Sequence, residues 1–363
     1  MSYLRDRAII HGHHLTHPLS HGLLFKCKVS RKWQAGKRCR PISFPLLIIS
    51  HRKFVQQMKK HLFLFIITFF ASFASFACDI CGCGVGSYYT GILPEFNKHI
   101  LGLRYRYNSL QTHLAPGGTA TYLTTLEKFN TIDLWTGWTI SPKVRLMAYV
   151  PLNINERINQ GTTTKKSGVG DIGVQAFYQV FDNRSASGKN FISHSLWLGG
   201  GIKLPTGKYE SALKDESGQS ANTFQLGTGS VDFTINGMYD LRIQDFGINT
   251  TASYKINTKN SDKYEYGNKL SSAMQAYYKV RVKNRFTVAP NAGFAYETAA
   301  KDFDNKIKAD ISGGNITLLT TGVEITTGKI AVGGNFQSPL AQQLANGSIK
   351  ARNRMMLHVS LLL

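Results

Sequence analysis

The stretch Ile132-Asp-Leu-Trp-Thr-Gly-Trp-Thr-Ile140, the turn Ser141-Pro-Lys143 and the return Val144-Arg-Leu-Met-Ala-Tyr-Val-Pro-Leu152 decide the fold. In an extended chain Ile132, Leu134, Thr136, Trp138 and Ile140 share one face, while Asp133, Trp135, Gly137 and Thr139 share the other. Beyond the turn, Val144, Leu146, Ala148, Val150 and Leu152 alternate with Arg145, Met147 and Tyr149. A period of two marks a strand whose two faces meet different surroundings. The pair reads as a hairpin with one apolar side and one mixed, charge-bearing side.

Working outward, the same alternation recurs. Leu101, Leu103, Tyr105 and Tyr107 oppose Gly102, Arg104 and Arg106, and further segments lie at 172–180, 192–204, 231–239, 246–256, 270–282, 286–296, 319–325, 330–336 and 357–363. The total is twelve strands. Connections after odd strands are long (109–128, 157–167, 205–222, 257–268, 298–314, 338–349), whereas those after even strands are mostly tight, as at Ser141-Pro142, Lys283-Asn284 and Thr327-Gly328. An even strand count with long loops at one end and short turns at the other is the plan of a transmembrane antiparallel β-barrel of the bacterial outer membrane, with periplasmic termini. Hydrocarbon demands closure, because an open edge would leave N–H and C=O groups unpaired. Trp138, Tyr105, Tyr107, Tyr178, Tyr239 and Tyr254 are girdle candidates at the membrane interfaces. A soluble β-sandwich also alternates, but its strands are usually shorter and nothing in it requires loops to alternate in length.

The chain has 363 residues, 43 Lys and Arg against 21 Asp and Glu, and a formal charge of +22. Position changes the meaning of that charge. Residues 1–57 hold eleven basic side chains and one acid, Asp6, with no sustained period, and read as a spurious or unstructured extension. Met58-Lys-Lys60, the apolar run Leu62–Phe73 and Ser75-Phe-Ala77 have the order of a signal peptide over 58–77, so translation is expected to begin at Met58. A Cys-rich periplasmic segment, 78–97, then precedes the barrel, 98–363. The charge left to the exported part forms no basic stripe, which argues against nucleic acid as a partner. The expected partners are outer-membrane lipid and a small solute, in the cell outer membrane of a Gram-negative bacterium.

Three stretches carry a family resemblance: Ser167-Gly-Val-Gly-Asp-Ile-Gly-Val-Gln-Ala-Phe-Tyr178, Gly199-Gly-Gly-Ile-Lys-Leu-Pro-Thr-Gly207 and Leu226-Gly-Thr-Gly-Ser-Val-Asp-Phe-Thr234. With their Gly-x-Gly-Asp, Leu-Pro-Thr-Gly and Gly-Thr-Gly cores, they resemble the outer-membrane β-barrel family of transporters named for the meta-cleavage pathway of phenol degradation. The resemblance covers roughly Leu101 to the C-terminus and implies transport of small aromatic or apolar solutes. From the residues alone, Gly168, Gly170, Gly227 and Gly229 stand where loops enter strands and permissive backbone angles are useful, and Pro205 opens an external loop.

The charged face is expected to line the lumen, with Arg104, Arg106, Arg145, Lys203, Lys255 and Lys279 against Asp133, Asp171, Asp232, Glu297 and Glu324. Near-balance suits a bracing network of ion pairs and shows no one-signed selectivity ring. Gly168-Val-Gly-Asp-Ile-Gly173 matches the dinucleotide pattern in spelling but has no helix after it to receive a pyrophosphate. His358-Val-Ser360 has the spacing for a hydrolytic pair, yet two polar residues on a lumen face are expected anyway, so the chain is not read as an enzyme. Cys78, Cys81 and Cys83 could bind copper or zinc through soft thiolates, pair as a disulfide in the oxidising periplasm, or anchor a lipid at Cys78. The function expected is a channel passing solutes passively. The alternative is a metal-binding or sensing protein that uses the Cys78–Cys83 cluster with the barrel as its anchor.

Overall fold

A computed structural model describes residues 99–115, 117–187, 190–211, 222–283 and 285–363. The segments 1–57, 58–77 and 78–97 lie outside the described residues, and with them Cys78, Cys81, Cys83 and any copper or zinc they would hold. We number the barrel strands β1 (Ile100–Thr112), β2 (Thr125–Ser141), β3 (Val144–Asn159), β4 (Gly173–Ser187), β5 (Asn190–Lys203), β6 (Asp232–Ile243), β7 (Phe246–Ile256), β8 (Lys269–Tyr278), β9 (Phe286–Ala299), β10 (Gly314–Thr327), β11 (Ile330–Leu344) and β12 (Arg354–Leu362). All twelve expected segments are strands.

Each strand pairs antiparallel with its neighbours in sequence, and β12 pairs back onto β1 from Ile100↔Leu362 to Tyr107↔Met355. The sheet therefore closes, and no edge meets lipid. Ile100 also lies opposite Gly137 near the β2–β3 turn, so the barrel begins and ends at the short-turn, periplasmic end. Those turns are tight enough to place Gln244, Lys283 and Gly328 in the left-handed region, at φ 56°, 49° and 53°.

Two details differ from the sequence reading. Where a loop was expected at 157–167, β3 runs on to Asn159 and returns through a strand at Thr162–Val169, with Gln160 and Gly161 at the bend. The strand expected over 270–282 is interrupted at Lys279, with Val280–Val282 resuming beyond it. The register runs from Tyr277↔Asn291 to Val280↔Val288 and sets Tyr278 opposite Pro290, which has no N–H to give. On its other side the Lys279 N–H donates to the Asp245 carbonyl at 2.8 Å, continuing the pairing with β7.

The outer surface carries the apolar alternates. Leu103, Trp138, Ile235, Phe294 and Leu357 are each more than half exposed, on five different strands. Such a belt is tolerable in hydrocarbon and not in water. The inner face is mixed, as the alternation of the β2–β3 hairpin suggested, and its apolar side chains gather in two clusters. Toward the periplasmic end Trp135, Met147, Tyr149, Phe177, Trp197 and Met238 form one buried cluster with Ile100 and Leu362. Toward the extracellular end Leu110, Phe129, Phe224, Ile316, Leu318 and Leu344 form another. Trp135 can lie against β1 because the facing residue is Gly102, where a Cβ would stand 2.5 Å from the indole Nε1.

Candidate functional site in the barrel lumen

The three motifs, separated by up to about sixty residues, meet at the extracellular end of β4–β7. Asp171 precedes β4, Lys203 ends β5, Asp232 opens β6 and Lys255 lies near the end of β7. Lys203 Nζ donates to Asp171 Oδ2 at 2.5 Å, to the Ser230 carbonyl at 3.0 Å and to Thr228 Oγ1. It also pairs with Asp232 Oδ2 at 2.9 Å, which Lys255 Nζ approaches at 3.2 Å. Asp171 accepts from the Gly207 and Thr228 amides at 3.0 and 2.9 Å. Thr206 Oγ1 donates to the Gly170 carbonyl and accepts from the Ile172 amide. Two acids and two bases alternate with almost no solvent, which is tolerable only because hydrogen bonds accompany each charge.

The glycines serve this junction in a way the sequence did not reveal. Of Gly168, Gly170, Gly227 and Gly229, only Gly229 has a positive φ, 71°. Gly227 is needed for close approach: a Cβ there would stand 2.4 Å from Asp171 Oδ1 and 2.6 Å from the Gly207 carbonyl oxygen. The dinucleotide reading fails structurally as well, since β4 and not a helix follows Gly173.

This cluster clasps a segment that turns inward. Residues 222–228, between the connection expected over 205–222 and the strand expected from 231, are buried and lie against the inner wall. Asn153 and Asn155 donate to the Leu226 and Gln225 carbonyls at 3.0 and 3.3 Å. Thr223 Oγ1 donates to Glu127 Oε2 at 2.5 Å, and Arg157 pairs with the same carboxylate at 2.7 Å. The Phe224 ring sits 4.4 Å from the Arg157 guanidinium carbon and completes the extracellular apolar cluster. An irregular backbone inside a barrel must have its polar groups met by the wall, and these side chains meet them.

At the outer rim Glu210 bridges Lys166 at 2.8 Å and Lys208 at 2.7 Å. Hydrogen bonds from Lys166 first, then Lys208, lower its carboxyl pKa to about 2. A depressed acid contributes above its ordinary value and is lost as pH falls through the depressed one. The bridge is therefore expected to persist at pH 4, where an unperturbed glutamate would be largely protonated. Hydrogen exchange over 204–211 checks this. Protection should be equal at pH 7 and pH 4 after correction for intrinsic rate, and Glu210→Gln should reduce it at both; protection unaffected by Glu210→Gln would refute the assignment.

The remaining candidates are distributed along the lumen. Arg104 and Arg106 both donate to Asp133, at 2.9 and 2.8 Å. Arg145 is buried, its guanidinium over Gly137, where a Cβ would stand 2.4 Å from Nη2. Glu297 pairs with Arg354 at 2.9 Å and Lys269 at 3.3 Å. Glu324 is buried, and Lys279 is half-buried with Nζ 5.7 Å from the Tyr277 ring centre. His358 Nδ1 lies 3.5 Å from Ser360 Oγ, and His194 faces outward among Phe181 and Tyr239. Sequence reasoning missed Glu127, Arg157, Lys269, Arg354 and Phe224. The first four were findable as inward positions of their strands, whereas Phe224 lies in an irregular segment with no period. Among the described residues no group of three or more His, Cys, Asp or Glu could hold a metal ion.

Residues 104–350, which include all three clasp motifs, match the family described as "Putative MetA-pathway of phenol degradation". The chain belongs to this family. The barrel is similar to the crystal structure of an outer membrane channel from Pseudomonas putida F1, with 15% identity, 77% of this chain and 100% of that chain covered, and a TM-score of 0.52. The β domain of the Bordetella autotransporter BrkA aligns less closely, with 12% identity over 73% of this chain and 99% of that chain and a TM-score of 0.43. No curated protein matches the sequence. This member of the family is thus an outer-membrane β-barrel, with its apolar belt in lipid.

Proposed function

We propose that the barrel passes small apolar and aromatic solutes across the outer membrane, down their gradient and without a coupled energy source. The carrying observation is the periplasmic cluster of Trp135, Tyr149, Phe177 and Trp197 with Met147 and Met238 on the inward face. A water-filled porin presents a polar interior; aromatic rings and thioethers instead favour a dry, apolar passenger. Family membership accords with this reading.

Purified protein in liposomes tests it. Benzyl alcohol entry should exceed that of empty liposomes while sucrose entry does not, and removing Cys78–Cys83 should leave the flux unchanged. Equal permeability to sucrose would indicate a general pore. No flux, with stoichiometric copper binding to the intact protein, would favour the metal-recruiting alternative.

A further inference from the structure

We infer that the outward face of β1–β3, at its extracellular end, binds the phosphates of an outer-leaflet glycolipid through a row of cations: Lys128, Lys165 and Arg352. Register places them, whatever the barrel passes. Lys128 on β2 lies opposite Ser109 of β1 on one side and Glu156 of β3 on the other. Glu156 in turn lies opposite Lys165 of the strand Thr162–Val169. Across the seam the Arg352 amide donates to the Ser109 carbonyl at 2.9 Å, which sets Arg352 level with the others. One line square to the strands therefore reads Arg352, Ser109, Lys128, Glu156, Lys165. The line faces out. Its neighbours in sequence Glu127, Arg157 and Lys166 turn inward and meet Thr223 and Phe224. Leu110 and Ala351, paired beside Ser109 and Arg352, are buried in the extracellular apolar cluster. Lys165 and Arg352 are exposed, and the Lys128 side chain is 32% exposed.

The height of the row fits lipid headgroups. Two outward rows closer to the periplasm the same strands present Tyr105, Ile132, Leu152 and Val169, part of the apolar belt. Tyr105 donates its hydroxyl upward to Asn130 at 2.8 Å, in the row between, as a girdle tyrosine at the interface does. Four residues of strand span about 13 Å, or about 10 Å along the membrane normal at a tilt of about 40°. The cations thus stand where hydrocarbon has given way to headgroups. Elsewhere the outward rows at the extracellular ends of the strands are uncharged. Ile202, Phe233 and Ile256 form the row on β5–β7, and Leu270, Thr298 and Asn315 the row on β8–β10. Three cations share their row with one acid. Glu156 meets Lys128 at 3.4 Å with both side chains partly exposed, a weak pair, and an ammonium has three donors. Alternate strands are about 10 Å apart. One phosphate between Arg352 and Lys128, and another between Lys128 and Lys165, is therefore within reach of these long side chains. A lipid suits the row better than a free anion, because its acyl chains would lie on Ile132 and Leu152 of the same face.

The full-length processed protein in neutral detergent, titrated with diphosphoryl lipid A without divalent cations, tests this. Each basic side chain beside an anionic lipid surface contributes about fivefold in affinity, so K128Q/K165Q/R352Q should bind about 100-fold more weakly than wild type. The control K259Q/K263Q/K306Q removes the same charge from exposed positions in the extracellular loops and should bind as wild type does. Lipid A stripped of both phosphates should bind wild type no better than it binds the row variant, and inorganic phosphate should not displace the diphosphoryl form. Heat-modifiable mobility checks that each variant is folded. Should the triple variant not fold, Lys128→Gln and Arg352→Gln singly are expected to cost about fivefold each. Wild-type affinity in the row variants, or equal loss in the loop variant, overturns the site. Equal affinity for lipid A with and without phosphates overturns the phosphate assignment, and displacement by inorganic phosphate overturns the choice of a lipid.

Discussion

Replacing Lys203 with methionine is expected to destabilise the barrel by about 3–5 kcal/mol, because removing one partner of a buried ion pair leaves uncompensated charge. Methionine keeps the length of the side chain, so the loss is of charge and donors rather than of packing. Asp171 loses its cation, Asp232 keeps only Lys255 at 3.2 Å, and the Ser230 carbonyl loses its donor. Urea unfolding in detergent, read by the heat-modifiable mobility of the folded barrel, would measure the loss. The triple variant K203M/D171N/D232N provides the internal check. It removes the orphaned carboxylate charges, and should recover most of the stability if charge is the cause. A triple variant as unstable as K203M alone would point to lost geometry instead. The inward segment should also loosen in K203M, seen as faster hydrogen exchange at 222–231 while the strands stay protected.

Phe224→Ala is expected to have the second-largest effect, and mainly on passage. The ring fills the apolar cluster formed by Leu110, Phe129, Ile316, Leu318 and Leu344, so truncation costs about 3–5 kcal/mol of local stability. The barrel wall does not depend on this side chain, since its twelve ladders close without it. Benzyl alcohol flux should rise above wild type with no change in strand content by circular dichroism. Flux equal to wild type would show that the extracellular cluster does not limit passage.

The wall was legible in the sequence because each strand reports its own two faces. Arg104 and Asp133 were both assigned inward from alternation, and the structure sets them directly opposite. What alternation cannot report is where an irregular segment goes. Residues 222–228 have no period to betray that they turn inward, and Gly227 looks like any loop glycine until Gly207 is brought against it. Partners across the lumen were hidden for a related reason. Glu297 on β9 and Arg354 on β12 are not on neighbouring strands, yet they meet at 2.9 Å. Such a pair depends on how the whole cylinder folds round. Lys203 and Asp232 are direct cross-strand neighbours, but the connection between them spans Leu204–Val231 and conceals the register.

The closing seam bears on the order in which the molecule can be made. β12 is the shortest barrel strand, nine residues, and its eight pairs with β1 join positions about 250 residues apart. Loop closure over such a distance makes this contact late and slow. A sheet without β12 would have two unpaired margins, β1 and β11. The nine residues Arg354–Leu362 thus cover both margins at once and seal the cylinder.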